Sequence, residues 1–193
     1  MDIQDDLYKK LPYDALNSVG LHEDLPQFKA VGATAKKLLT VHAGLLPTHH
    51  LLDIGCGIGR MAIPLVDYLA EGGAYDGFDI TPFSIDWCRR EIASKHANFN
   101  FHFVDIHNSA YHPAGKLQGT SYIFPFADSH FDVAMATSVF THMLLAETRQ
   151  YLQQAARVLK PGGRFLASFF LMSILISSKV KMASFELFKA FRV

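Results

Sequence analysis

The 193-residue chain is predicted to form an α/β domain built on a doubly wound, mostly parallel sheet. Three observations lead there. Short apolar runs at residues 50–54, 74–79, 99–104, 131–137 and 164–170 alternate with stretches whose apolar residues recur at helix spacing. Those runs are apolar nearly throughout, as strands covered on both faces are. Turn residues separate the two kinds of segment, at Gly55-Cys56-Gly57-Ile58-Gly59, Gly72-Gly73 and Lys160-Pro161-Gly162-Gly163. Strands joined through helices run parallel with right-handed crossovers. Ligands of such sheets sit beyond the carboxyl ends of the strands, so the chemistry is sought just after each strand.

The length suits one domain with a single core, 1–193, divided into a helical cap (1–45), a core (46–170) and an atypical tail (171–193). Hydrophobic residues make up 50% and charged residues 19%, the balance of a folded globular chain. Lys plus Arg, 18, equals Asp plus Glu, 18, so no basic surplus points to a nucleic-acid partner. Cys56 and Cys88 are too few for a disulfide framework, and Met1 to Asp6 lack the apolar centre of a signal peptide. A cytoplasmic setting is expected. The apolar run from Phe165 to Ile176 is shorter than the ~20 residues that span a bilayer, so no membrane span is expected. The ten histidines show no zinc-ligand spacing, and no metal is assigned.

In order along the chain, Phe28, Val31, Ala35, Leu38, Leu39 and His42 mark one face of a helix that Gly44 and Pro47 end. The first strand follows and runs into the glycine loop. A helix is expected over residues 60–70, a second strand to Asp79, and a helix from Pro82, which suits a first turn, to about residue 95. After the third strand, residues 106–123 form a loop longer than most connections. It carries Tyr111, His112, Lys116 and Tyr122, and is read as an acceptor contact, an insertion or a dimer contact. Leu145, Thr148, Tyr151, Leu152, Ala155, Val158 and Leu159 define the last helix face before the fifth strand.

The strongest chemical signal is Leu51-Leu52-Asp53-Ile54-Gly55-Cys56-Gly57-Ile58-Gly59-Arg60. Glycines at a strand end let the backbone turn sharply and approach a ligand closely. One glycine there serves the turn alone; three at alternate positions suggest a ligand. The dinucleotide fingerprint Gly-x-Gly-x-x-Gly would need glycine at position 60, which is Arg60. That disfavours a nicotinamide-dependent oxidoreductase.

The pattern Asp-x-Gly-x-Gly-x-Gly resembles the first motif of class I S-adenosylmethionine-dependent methyltransferases, whose fold is Rossmann-like. Asp79 after the second strand, Asp105 after the third, the stretch Phe124 to Asp132 before the fourth, and Val158 to Arg164 before the fifth continue the resemblance in order over about residues 45–170. It implies S-adenosyl-L-methionine as cofactor, with S-adenosyl-L-homocysteine as product. It implies cofactor contacts from Asp53, Gly55, Cys56, Gly57, Gly59 and Arg60. Asp79 and Ile80 would meet the ribose, Asp105 and Ile106 the adenine. Thr137, Ser138 and Phe140 lie where the family places further contacts, and His142 is the candidate general base or else a helix cap. Asp53 either orients the loop or makes a local turn bond. Cys56 also reads as a small buried filler, Arg60 also as a solvated helix residue, and Asp132 sits at the end of its strand remote from the ligand.

A full domain of that family continues past the fifth strand with a helix and an antiparallel pair, but only 23 residues follow Phe170. The expectation is five core strands in order 3-2-1-4-5, with the final pair missing or incomplete. The fifth strand would then be an apolar edge, covered by the tail or by a second copy in a homodimer. The function expected is methyl transfer to a small-molecule acceptor. The alternative is a non-catalytic relative that binds the cofactor or a protein partner.

Overall fold

A computed structural model describes residues 3–12, 24–170 and 186–192. Its sheet has strands β1 (His50–Ile54), β2 (Ala74–Asp79), β3 (Phe99–Phe103), β4 (Phe131–Ala136), β5 (Leu159–Phe170) and β6 (Glu186–Arg192) in the order β3-β2-β1-β4-β5-β6. The first five run parallel in the expected 3-2-1-4-5 order. Helices α1 (Ile3–Lys9), α2 (Leu25–Val41) and α3 (Pro82–Cys88) pack on one face, and α4 (Leu145–Val158) on the other.

Two cores result because neighbouring strand residues point to opposite faces. Leu51, Val133 and Met135 join α2 and α3 in one core, while Leu52, Ile54, Ala134 and Ala136 join α4 in the other. Both sides of β1 and β4 are therefore largely dry, which explains their mostly apolar sequences, interrupted by Asp53 in β1 and Asp132 in β4. In α2 the Asp24 side chain caps the N-terminus by accepting from the Gln27 N–H at 2.9 Å. Phe28, Ala35 and Leu39 of the expected face are buried; His42, expected on it, is an exposed C-cap.

Three expectations change. Residues 60–70 do not form an α-helix: turns flank a single 3₁₀ turn, Ile63–Leu65. Pro64 has no N–H for the Arg60 carbonyl. Gly32 of α2 lies so close that a Cβ there would sit 2.7 Å from that carbonyl oxygen. The Pro82 helix passes into a π-helical turn at Arg89–Ala93. The Lys160–Gly163 turn is a bulge inside β5, where pairing with β4 jumps from Phe131–Leu159 to Val133–Arg164.

The tail also differs from a bare edge. β6 pairs antiparallel with β5, from Arg164–Arg192 to Phe170–Glu186. The outer edge of β5 is thus occupied by this chain, and the reason for expecting a homodimer through it is removed. Residues 171–185, the rest of the atypical tail apart from its end, lie outside the described residues. At the opposite end of the sheet, Asp132 accepts from the His50 N–H at 2.9 Å and from Lys160 Nζ at 2.8 Å. Burial works against its charge, but the Lys160 and His50 bonds outweigh that and hold its carboxyl below the usual range. This is the structural role expected for it, remote from the ligand end.

Candidate functional site

The register sets the carboxyl ends of β1, β2 and β4 level: Ile54 lies opposite Phe78 on one side and Ala136 on the other. Beyond them opens a cavity of about 540 Å³, within the roughly 300–1,000 Å³ usual for small-molecule sites.

Its floor is the glycine loop. The Gly55 and Cys56 N–H groups donate to the Phe78 carbonyl at 2.9 and 3.0 Å, tying the end of β1 to the end of β2. Gly55 has φ +73°, and a Cβ there would sit 2.5 Å from Val139 Cγ2, so the loop can pass the β4 segment only as glycine. Gly57 has φ +52° with nothing within 4 Å of its absent side chain; that open space belongs to the cavity. Gly59 faces the other way, against Ile92 and Cys88, and does not line the cavity.

Asp79 is the hinge of the floor. Its Oδ2 accepts from the Gly57 N–H and its Oδ1 from the Thr81 N–H, both at 2.8 Å. Each oxygen keeps a second acceptor position, and the residue lines the cavity. Asp53, at 1% exposure, lines the cavity and accepts from the Tyr75 hydroxyl across the strands, a partner that sequence spacing did not indicate. Burial pushes its carboxyl up to about 7, and the nearby Asp79 charge adds to this; the Tyr75 bond and Arg60 work the other way. Burial likewise pushes the Cys56 thiol well up, which suits the filler role. Cys56 packs on Gly77, whose added Cβ would lie 2.8 Å from its own.

The raised Asp53 value has a stability consequence. Between about pH 4 and 7 the folded state holds a proton that the unfolded chain has released, so this group's contribution falls as pH rises through that window. Asp53→Asn removes it. Urea denaturation of both proteins from pH 4.5 to 8.5 should show the wild type losing stability relative to the variant, by up to about 1.4 kcal/mol per pH unit below 7. Parallel curves would place the Asp53 carboxyl in the ordinary range.

The wall after β4 begins with Thr137 and Ser138, both lining the cavity. Ser138 has φ 58°, unusual for a side-chain-bearing residue, and its N–H is held by buried Ser168 Oγ at 2.7 Å. His142 ends a 3₁₀ turn, Phe140–His142, and stands exposed at the mouth with its ring edge-on to Tyr111 at 5.6 Å. Ile80 and Ile106 line the cavity, as does Arg60.

Besides Gly59, two expected residues fall outside. Asp105 turns to the long loop: its Oδ1 pairs with His112 Nε2 at 2.8 Å, and its carbonyl accepts from the Lys116 and Leu117 N–H groups. Phe140 is buried and stacks on Phe169, ring centroids 4.9 Å apart. Other lining residues were not anticipated: Phe78 and Thr81 beside Asp79, Asn108 in the long loop, and Met143, Glu147 and Tyr151 from the start of α4. Glu147 carried no capping-box signal, since leucine stands at position 144, yet its Oε2 accepts from the Leu144 N–H at 3.1 Å. Tyr111 stood out only as one aromatic in a long loop.

A doubly wound sheet whose first strand opens into a glycine loop, with an acidic side chain after the second strand bound to that loop, defines a Rossmann-like domain with a ligand cavity at its switch point. A family model described as "Methyltransferase domain" matches residues 52–165. The chain belongs to that methyltransferase family. The demethylmenaquinone methyltransferase of Shouchella clausii is 28% identical over 166 residues, covering 86% of this chain and 60% of that protein. The fatty-acid O-methyltransferase of Mycolicibacterium smegmatis is 32% identical over 119 residues, covering 60% and 35%. The solved PH0226 protein from Pyrococcus horikoshii shares the fold, with a TM-score of 0.58 at 23% identity, covering 86% of this chain and 66% of that one. The aligned regions span three fifths of the Shouchella enzyme and about a third of the Mycolicibacterium enzyme.

Proposed function

We propose that this domain binds S-adenosyl-L-methionine in the glycine-loop cavity and directs its methyl group to a small-molecule acceptor. The observation that carries the reading is Asp79, fixed by the Gly57 and Thr81 N–H groups with further acceptor positions on the cavity side. Such a carboxylate suits the paired hydroxyls of a ribose. Asp79 and Glu147 line the cavity against a single guanidinium, Arg60, and Asp53, its carboxyl pushed up to about 7, adds a partial charge, so the site favours a ligand carrying positive charge. A sulfonium and an ammonium meet that condition; a pyrophosphate does not.

Held by the glycine loop and Asp79, S-adenosyl-L-methionine would supply an electrophilic methyl group on sulfur, open to in-line displacement by an acceptor atom with the sulfur as leaving group. The protein's task is mainly positioning, which by itself supplies roughly 7–11 kcal/mol when two reactants are held in attack geometry. The Gly55–Ser138 floor and wall hold one reactant and the His142–Glu147 side leaves room for the other. A His142 ring nitrogen receives the proton that an acceptor hydroxyl loses. The His142→Gln variant should turn over at least ~10²-fold more slowly with unchanged cofactor affinity; equal turnover would remove histidine from the chemistry.

Relatives named for demethylmenaquinone and fatty-acid methylation favour a small organic acceptor over a macromolecule. Zero net charge agrees. Among the described residues no helix is long and apolar enough to cross a membrane. The free, buried cysteines fit a cytoplasmic setting. Calorimetric titration of the 193-residue chain with S-adenosyl-L-homocysteine tests the reading. Micromolar binding is expected, and a folded protein that binds none refutes it.

A further inference from the structure

The two ends of the cavity differ in chemistry. The glycine-loop end holds Asp53 and Asp79. The outer end is framed by the start of α4 and by the long loop after β3. Among the described residues Leu144 and Leu145 are the most exposed large apolar side chains, at 77% and 85%. They directly follow Met143 and shortly precede Glu147, both of which line the cavity.

This turn is fixed. The Leu144 N–H is held by Glu147 Oε2, and the Leu144 carbonyl accepts from the Thr148 N–H at 2.9 Å. Across the mouth Tyr111 is 49% exposed and meets the His142 ring. Two leucines held rigidly in water beside a cavity are costly unless a ligand covers them. The charge on this side argues for which ligand. Among the described residues that line the cavity on this side, Glu147 is the one carboxylate and none is a lysine or arginine, while the cavity's guanidinium, Arg60, sits with the glycine loop. An anionic acceptor would meet a carboxylate with no lysine or arginine beside it among the described lining residues of this end.

Building on the methyl-transfer reading, we infer that the acceptor is a neutral, largely apolar hydroxyl compound. Its hydrocarbon lies over Leu144 and Leu145 facing Tyr111, and its hydroxyl points towards His142.

The test uses the full chain saturated with S-adenosyl-L-homocysteine and the series 4-ethylphenol, 4-butylphenol and 4-hexylphenol, with binding measured by calorimetry. Affinity should rise by about two- to fourfold per methylene. In Leu144→Ser/Leu145→Ser that dependence should collapse while S-adenosyl-L-homocysteine still binds as in the wild type. Tyr111→Ser, on the opposite rim, should weaken every phenol. A chain-length dependence that is flat in the wild type, or that survives in Leu144→Ser/Leu145→Ser, overturns the inference. So does a concentration-dependent dimer that the serines dissociate, since a second copy would then be what covers the leucines. Failure of the protein to bind S-adenosyl-L-homocysteine, measured before any phenol is added, overturns the methyl-transfer reading and this inference with it. Binding of that compound without a phenol series overturns the inference alone.

Discussion

Asp79→Ala should weaken S-adenosyl-L-homocysteine binding by ~10²-fold or more, because hydrogen bonds to a charged group contribute about 1.5–3 kcal/mol each and the substitution removes at least two. The variant leaves the Gly57 and Thr81 N–H groups without their acceptor and frees the glycine loop from the end of β2. It also deletes the carboxylate proposed to hold the ribose hydroxyls. Asp79→Asn, which keeps one acceptor oxygen, should fall between. Asp132→Ala serves as the control. Its carboxylate holds His50 and Lys160 at the far end of the sheet, so affinity should be unchanged even though stability falls. Titration calorimetry of the three variants distinguishes the cases, and wild-type affinity in Asp79→Ala would remove this residue from the site.

The largest stability loss is expected from Phe78→Ala. Phe78 is 1% exposed, the last residue of β2 before Asp79, and the centre of an aromatic cluster. Phe124 lies 4.9 Å from it, Tyr122 6.3 Å, Tyr151 6.4 Å and Phe126 6.5 Å, between ring centroids. Removing a buried phenyl ring costs about 3–5 kcal/mol, since its neighbours collapse only partly into the space. In a domain of this size that corresponds to a melting temperature lower by roughly 10 °C. The ring also forms part of the cavity wall, and its own carbonyl receives the Gly55 and Cys56 N–H groups. Cofactor affinity should therefore decline along with stability. Thermal unfolding followed by circular dichroism reads the effect, and a drop below 2 °C would mean that Tyr122 and Tyr151 close over the gap. Leu145→Ala, at an 85%-exposed site, should melt within about 0.5 kcal/mol of the wild type.

What was legible in the chain itself follows from local periodicity. The five core strands are short apolar runs, and burial on both faces forces that composition, so each was found within a few residues of its ends except β5, which begins earlier. The glycine loop was legible because glycine takes positive φ, here +73° at Gly55 and +52° at Gly57, at far lower cost than other residues, and three glycines at alternate positions stand out in a sequence. Asp79 was singled out through the family resemblance, as a carboxylate at the carboxyl end of the strand beside that loop. The order of the strands came through resemblance to a family, since no local pattern states which strand lies beside which.

The rest depended on what the chain meets after it folds. Residues 60–70 carry helix-spaced apolar side chains, yet Pro64 and the close approach of Gly32 leave only one 3₁₀ turn. Asp105 occupies the expected position but is taken by His112, seven residues on, within the long loop. Tyr75 captures Asp53 from the next strand, and β6 covers the edge that β5 was expected to expose. The outer wall brings Tyr111 to His142 and Gly119 to Glu147, between segments with no shared pattern. The sequence by itself thus determined the five core strands and the glycine loop, because both rest on spacings of a few residues. The tertiary structure alone decided the mouth of the cavity, because that depends on where separate loops land, and so on packing between residues far apart in the chain.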